Sequence, residues 1–185
     1  MGAQTIRSLV PCLSAHEAAR VFVSGLPGWL RRRSLGPLRS VADVYVPFRV
    51  YRVSVRDQSR SEVTVLGLDA VAGVLDLYRF DTVPAVDQLI AVKTRNRLEA
   101  RLDEVAAQKI LAAKVERLVF QRRGFFGIRR WPRVAMEPAV QDLHVPYWVG
   151  FFGPYEAPRI VVMDAVRRRI EGAKVRRLLR GWLST

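Results

Sequence analysis

The chain has 185 residues, of which 50% are hydrophobic and 26% charged, and its 31 Lys and Arg against 17 Asp and Glu give a formal net charge of +14. This composition is too apolar for a disordered chain, and the length suits one domain or two small ones. No apolar run approaches the roughly 18 residues of a membrane helix, so we expect no membrane-spanning segment. The single cysteine, Cys12, excludes an internal disulfide framework and a multi-cysteine metal site.

The amino-terminal residues MGAQTIRSLVPCLSA predict no targeting segment. Pro11 interrupts a short apolar stretch, whereas a secretory signal wants an apolar region of about 7–15 residues. Cys12 has no adjacent basic residue or histidine, so we interpret it as a buried structural thiol. The expected localisation is cytoplasmic, either free or peripheral to a membrane or a larger complex.

The first half of the chain is predicted to fold as a helix, a basic loop and a hairpin. Ser14 and Glu17 have the spacing of a capping box, so a helix is expected over residues 15–24. The sequence Leu26-Pro27-Gly28 is expected to end this helix. Segments rich in β-branched and aromatic residues predict strands over 44–55, 62–68 and 74–80, with turns at 57–60 and 69–73.

The second half is predicted to begin with a longer helix over residues 97–120, where apolar residues recur at helical spacing. A second hairpin is expected from residues 141–152 and 159–163, joined across Gly153-Pro154-Tyr155. The remaining predicted elements are a short strand over 167–170 and a basic helix over 174–182.

An internal repeat organises these elements. Residues 43–50 read DVYVPFRV and residues 142–149 read DLHVPYWV. Two further pairs keep the same order: LDAV at 68–71 with MDAV at 163–166, and GWLRR at 28–32 with GIRRW at 127–131. Repeats indicate architecture directly. We therefore expect an α+β fold of two tandem helix-plus-antiparallel-hairpin repeats, 1–83 and 84–185, packed as one compact unit.

The first repeat resembles the pattern of PepSY domains. The resemblance rests on SAHEAARVFVSGLPG at 14–28 and LDAVAGVL at 68–75. It implies a cystatin-like α+β unit, in which a helix packs on a few antiparallel strands, and a binding or peptidase-regulating role without catalytic residues. The second repeat departs from the pattern, because Arg167 and Arg168 stand where the turn glycine is expected.

The residues that resemble catalytic groups are interpreted as structural. The aspartates that recur in matched pairs beside turns are Asp43, Asp69, Asp142 and Asp164. We expect them to accept hydrogen bonds from turn amides rather than to act as acid–base catalysts. His144 aligns with the aromatic Tyr45 and is expected to pack in a strand. The chain has no Walker loop, GxGxxG, HExxH or GxSxG motif. We therefore expect no enzymatic activity, no cofactor and no metal site.

Basic and aromatic residues alternate in three segments that form the candidate partner-binding set. Residues 121–133 carry five arginines, three aromatic residues and no acidic residue. Of the 31 basic residues, 27 are arginine. Two causes produce such a preference: planar contact of the guanidinium with phosphate or carboxylate, and a GC-rich genome. The candidate residues are Trp29, Arg31, Arg32, Arg33, Arg122, Arg123, Phe125, Phe126, Arg129, Arg130, Trp131, Arg133, Arg176, Arg177 and Trp182.

These segments predict a non-enzymatic accessory module that docks on an anionic partner. The expected partner is an acidic protein subunit or, peripherally, an anionic membrane surface. Two alternatives stay open at this point: a nucleic-acid-binding protein, in which arginines contact phosphates and aromatic rings stack on bases, and a peptidase inhibitor or enzyme regulator. For nucleic acid, the logarithm of the affinity is expected to fall linearly with the logarithm of the salt concentration, with a slope set by the number of phosphate contacts.

Overall fold

The chain has an α+β fold with four α-helices and a mixed β-sheet in the part that the computed structural model describes, residues 2–56, 61–123 and 133–184. Only the backbone of Arg122 and Arg123 is described. The helices are α1 (Ala15–Val23), α2 (Gly25–Leu35), α3 (Glu104–Arg123) and α4 (Ala173–Leu183). The strands are β1 (Gln4–Leu9), β2 (Leu38–Arg56), β3 (Ser61–Asp69), β4 (Tyr78–Phe80), β5 (Leu89–Thr94), β6 (Arg133–Phe152), β7 (Arg159–Asp164) and β8 (Arg169–Ile170). A short 3₁₀ helix, Val86–Gln88, precedes β5.

The strands follow the order β4-β3-β2-β6-β1-β5, and β7 pairs with both β6 and β8. The chain divides into two compact units. Unit 1 comprises Met1–Val46, Gln88–Leu98 and His144–Thr185, and unit 2 comprises Pro47–Asp87 and Glu99–Leu143. The long strands β2 and β6 therefore each contribute to both units. The predicted α+β class is confirmed, whereas the tandem repeats and their boundary after residue 83 stay predictions.

The core of unit 1 contains the apolar face of α1 and the β6–β7 hairpin. Ala18 and Phe22 of α1 are fully buried, and Phe22 meets Phe152 edge to face with 6.3 Å between the ring centroids. The capping box is formed as predicted: the Glu17 amide donates to Ser14 Oγ at 3.3 Å, and the Ser14 amide donates to Glu17 Oε2 at 2.8 Å. This reciprocal pair explains why α1 begins where the sequence predicts.

The core of unit 2 lies between α3 and the sheet of β2, β3 and β4, and its buried members are Tyr51, Val53, Leu66, Leu68, Ala107, Leu111, Val115 and Val119. At the start of α3, Glu104 accepts from Arg49 Nη1 at 2.6 Å and from the Tyr51 hydroxyl at 3.2 Å. Burial, together with the charge of Glu104, raises the pKa of Tyr51 to about 12. These bonds tie the first turn of α3 to β2.

A helix replaces the basic loop that the sequence predicts after α1. The chain turns at Ser24, whose extended backbone (φ −82°, ψ 154°) separates α1 from α2. Pro27 is tolerated because it lies in the first turn of α2, where backbone N–H groups have no partner within the helix. The expectation that Leu26-Pro27-Gly28 leads into a loop is therefore wrong, since these residues belong to α2.

The predicted long helix begins later, at Glu104, because residues 96–98 run beside β2. The Tyr45 amide donates to Asn96 O at 2.8 Å and the Leu98 amide donates to Tyr45 O at 2.9 Å. Asp103 then caps α3 by accepting from the Ala106 amide at 2.7 Å. Residues 124–132, which follow this helix, and the predicted turn at 57–60 lie outside the described residues.

Three further differences concern strands and the cysteine. β1 and β5 are absent from the predicted elements, and each is a short strand that pairs with the other in antiparallel register, Gln4 opposite Thr94 and Leu9 opposite Leu89. The strand predicted over 74–80 is shorter and occupies only Tyr78–Phe80. Cys12 is exposed, so the prediction of a buried thiol is wrong: its amide is held by Ala165 O at 2.8 Å, while Leu13 takes the adjacent buried position.

Candidate functional site

The structure places the described members of the predicted partner-binding set on three elements. Trp29, Arg31, Arg32 and Arg33 lie on α2, Arg133 begins β6, and α4 carries Arg176, Arg177 and Trp182. Arg177 is exposed, whereas Arg176 and Trp182 are half-buried. The side chains of Arg122 and Arg123, together with Phe125, Phe126, Arg129, Arg130 and Trp131, lie outside the described residues, so their role stays a prediction.

The exposed face of α2 carries the strongest candidate site. Leu26, Trp29 and Leu30 are 70%, 55% and 52% exposed. They are spaced at i, i+3 and i+4, which places them side by side on one face of a helix. Arg32 and Arg33 are also exposed, and the Arg33 guanidinium lies 5.8 Å from the centroid of the Trp29 ring. We call these five residues the α2 surface.

The opposite face of α2 is held against α1 at one glycine and one arginine. Gly28 is buried, and a Cβ atom there would lie 2.4 Å from Val23 O, so no other residue fits without displacing α2. Arg31 donates from Nε to Phe22 O at 3.0 Å and from Nη2 to Val21 O at 3.1 Å. Burial lowers the pKa of Arg31. Arg31 therefore positions α2, and its predicted role as a partner contact stays a prediction.

Three residues that the sequence analysis missed lie at the carboxyl end of α2. Arg159 donates to Ser34 O at 2.6 Å, where the helix dipole favours a positive charge. Arg39 donates to Gly153 O at 3.2 Å, and its guanidinium lies 5.2 Å from the centroid of the Tyr155 ring. Tyr155 is 77% exposed. These contacts join the β6–β7 connection to residues near α2, so basic and aromatic groups continue beyond the helix.

The positive charge of the chain is concentrated in unit 1. Unit 1 contains 17 of the 31 Lys and Arg residues and 5 of the 17 Asp and Glu residues, so it carries +12 of the net +14. Unit 2 contains the other 14 basic and 12 acidic residues, a net charge of +2. The α2 surface therefore belongs to the strongly basic part of the protein, where long-range attraction of anions is strongest.

Asp69 has a structural role in its turn. It is fully buried, and its carboxylate accepts from the amides of Ala72, Gly73 and Leu75 at 3.0, 2.9 and 2.8 Å. Gly73 has a φ of +66°, as predicted for the turn glycine. These bonds keep residues 70–75 in a turn, which is why β4 begins only at Tyr78. The prediction that Asp69 accepts turn amides is confirmed.

Asp164 has the same role in the second hairpin with fewer partners. It accepts from the Val166 and Arg167 amides at 2.8 and 2.9 Å, while its buried Oδ2 atom has no hydrogen-bond partner among the described residues. Arg168 takes the left-handed conformation in this turn, with a φ of +57°. An arginine thus adopts the strained backbone that a glycine would adopt more readily.

The other titratable candidates lie within strands. Asp43 lies within β2 and accepts from Asn96 Nδ2 at 3.1 Å, and Asp142 lies within β6. The expectation that these two aspartates lie beside turns and accept hydrogen bonds from turn amides is therefore wrong. His144 is buried, and its Nδ1 atom lies 3.3 Å from Arg7 O, as expected for a histidine packed in a strand. Across the described residues, no group of three or more His, Cys, Asp or Glu side chains is arranged to hold a metal ion.

Comparison with known proteins gives no match to a protein-family model, to a curated protein or to a solved structure. Among the helices of the described segments, none is both long enough and apolar enough to cross a membrane.

Proposed function

We propose that this protein is a non-enzymatic accessory module that binds peripherally to an anionic membrane surface through the α2 surface of unit 1. The observation that carries the proposal is the exposure of Leu26, Trp29 and Leu30 beside Arg32 and Arg33 on one short helix. Large apolar side chains grouped on a surface mark interaction sites, whereas single exposed ones are common.

The two kinds of side chain contribute differently to such binding. Leucine and tryptophan bury apolar area at the boundary between headgroups and acyl chains, as in other interfacial helices. Arginine near an anionic leaflet contributes about 1 kcal/mol of attraction. Trp29 and Tyr155 also have the amphipathic rings that favour the membrane interface. The net charge of +12 on unit 1 also attracts the protein to an anionic membrane at longer range.

A membrane is favoured over nucleic acid because of the side chains that are most exposed. Leu26 and Leu30 flank Trp29 and have no favourable contact to make with phosphates or with stacked bases, which are bound by aromatic rings and cations. An acidic protein subunit with an apolar groove is the competing partner, since a helix face with anchors at i, i+3 and i+4 also suits a groove. The experiment below separates the two.

The experiment measures co-sedimentation with vesicles of phosphatidylcholine alone and of phosphatidylcholine mixed with phosphatidylglycerol. The unaltered protein is expected to sediment with the anionic vesicles at low salt and to be released at high salt, because added salt screens the attraction. The triple variant Leu26→Ser, Trp29→Ser, Leu30→Ser is expected to lose about tenfold or more in partitioning, because it removes most of the apolar area of the α2 surface.

The matched control alters three exposed valines of unit 2. Val63, Val86 and Val105 are 59%, 88% and 79% exposed, and their simultaneous replacement by serine is expected to leave partitioning unchanged. Three results contradict the proposal. They are an equal loss of partitioning in the two triple variants, equal binding of the unaltered protein to neutral and anionic vesicles, and no binding to either kind of vesicle. If the protein binds no vesicles but forms a saturable complex with an acidic protein, the partner is a protein subunit and not a membrane.

The proposal includes the internal repeat and the resemblance to PepSY domains. In support, Phe48 lies opposite Asp69 in the first hairpin and Tyr147 lies opposite Asp164 in the second. The residue after each aspartate, Ala70 or Ala165, donates its amide to the proline carbonyl of its own hairpin, at 2.8 and 3.1 Å. Each hairpin is therefore closed in the same way. The helices are exchanged relative to the predicted repeats, because α1 packs on the β6–β7 hairpin and α3 packs on β2 and β3. The support for the repeat therefore comes from the two hairpins alone.

A further inference from the structure

Unit 2 contains a cavity that the docking function does not use. Its volume is about 330 Å³, at the lower end of the range of small-molecule sites. It is lined by Val53, Val55, Glu62, Thr64, Leu66, Leu77, Arg79, Val115, Leu118 and Val119. The cavity opens to solvent, because its lining residues Glu62, Arg79 and Leu118 are exposed. A small molecule can therefore enter it from the surface and reach the apolar residues beside the core of unit 2.

The sheet wall of the cavity follows from the register of β2, β3 and β4. Val53 lies opposite Thr64, Val55 opposite Glu62, and Leu66 opposite Arg79, and all three pairs line the space. Because side chains alternate between the faces of a strand, residues 62, 64 and 66 share the face that α3 covers. The sheet thus places two polar positions of β3 and one of β4 beside apolar ones.

The interior of the cavity is apolar and its rim is polar. Val53, Leu66, Val115 and Val119 are buried members of the core, whereas Glu62 and Arg79 are exposed. Thr64 donates to Glu62 Oε1 at 3.4 Å. The rim therefore combines one carboxylate, one guanidinium and one hydroxyl, whose formal charges cancel. Four of the lining residues are valines, whose short side chains leave space that leucine or phenylalanine would fill.

We propose that this cavity binds a small neutral amphipathic molecule, with an alkyl or ring body in the apolar interior and a hydroxyl or amide end at the rim. A neutral end group of this kind donates to Glu62 and accepts from Arg79. An anionic end group is attracted by the Arg79 guanidinium but repelled by the Glu62 carboxylate, and a cationic end group experiences the reverse. The two interactions oppose each other, so a charged end group gains little net attraction. The proposal is independent of membrane docking, because it concerns other residues in the other unit.

The test uses the neutral fluorescent probe N-phenylnaphthylamine and three competitors that share one alkyl chain: decanol, decanoate and decylamine. The full-length protein is expected to bind the probe saturably, and decanol is expected to displace it at the lowest concentration. Val119→Phe places a ring in the cavity and is expected to weaken probe binding by about tenfold or more. Decanol is also expected to raise the melting temperature of the unaltered protein but not of this variant.

Val105→Phe is the matched control, because Val105 lies on the same helix but is exposed and outside the cavity. Its probe binding is expected to equal that of the unaltered protein. Val55→Leu makes a smaller change in the cavity and is expected to weaken probe binding in the same direction, so the test does not depend on one variant. Absence of saturable binding, unchanged binding in both cavity variants, or equal displacement by the three competitors overturns the proposal.

Discussion

Replacing Asp69 by alanine is expected to lower the free energy of unfolding by about 3 kcal/mol, because it leaves three backbone amides, two of them on buried residues, without their acceptor. The donors are the amides of Ala72, Gly73 and Leu75, all within 3.0 Å of the carboxylate. Each unsatisfied buried donor costs about 1–3 kcal/mol, and the relaxation of the turn recovers only part of this. Urea unfolding followed by circular dichroism measures the difference.

Asp164→Ala is the internal comparison for this prediction. Within the described part of the chain, Asp164 accepts from two amides, and its buried Oδ2 atom has no partner there. Removing the side chain also removes that unsatisfied atom, so the loss of stability is expected to be smaller than for Asp69→Ala. Asp81→Ala, at an exposed position, is expected to change stability little. A loss at Asp69 no larger than at Asp81 contradicts the structural role of this carboxylate.

Phe22→Ala is expected to lower the free energy of unfolding by about 3–5 kcal/mol, as for other fully buried phenylalanines. The ring is inaccessible to solvent and packs edge to face on Phe152. It also lies against Gly150, where an added Cβ would be 3.0 Å from the ring. The surrounding backbone is therefore already close to the ring and has little freedom to close the cavity that alanine leaves.

Phe80→Ala provides the control for that measurement, because Phe80 is half-buried at the end of β4. Its loss of stability is expected to be clearly smaller, since less apolar area leaves water there. The two variants are compared by their midpoints of urea unfolding at equal slopes. Equal losses in the two variants would mean that the core of unit 1 does not depend on the contact between α1 and the β6–β7 hairpin.

Local signals in the sequence predict the elements whose ends are determined by neighbouring residues. The capping box of Ser14 and Glu17 predicts the start of α1, and the turn aspartates predict the ends of both hairpins. Asp69 is recognisable because its turn also contains Gly73, a residue that readily takes a positive φ. The α+β class follows from these elements alone.

Elements that depend on distant partners were not predictable in the same way. β1 and β5 are short and pair with each other, although β1 lies in the first segment of unit 1 and β5 in the second. Each strand therefore depends on a partner that is distant in the sequence. α2 contains proline and glycine, which locally predict a break, and its position depends on the fit of Gly28 against Val23. The contribution of Tyr155 and Arg159 near α2 arises from tertiary contacts, which spacing along the chain does not encode.

Trp29 is expected to enter the membrane interface, and fluorescence quenching by lipids with brominated acyl chains measures whether it does. The chain contains 4 tryptophans, so the emission of Trp29 is taken as the difference between the unaltered protein and Trp29→Phe. Phenylalanine keeps an apolar ring, and the variant is expected to remain bound to anionic vesicles. Brominated lipid is expected to quench the fluorescence of the unaltered protein, and Trp29→Phe is expected to lose most of this quenching while still bound. Equal quenching in both proteins, or no quenching of the bound unaltered protein, would contradict it.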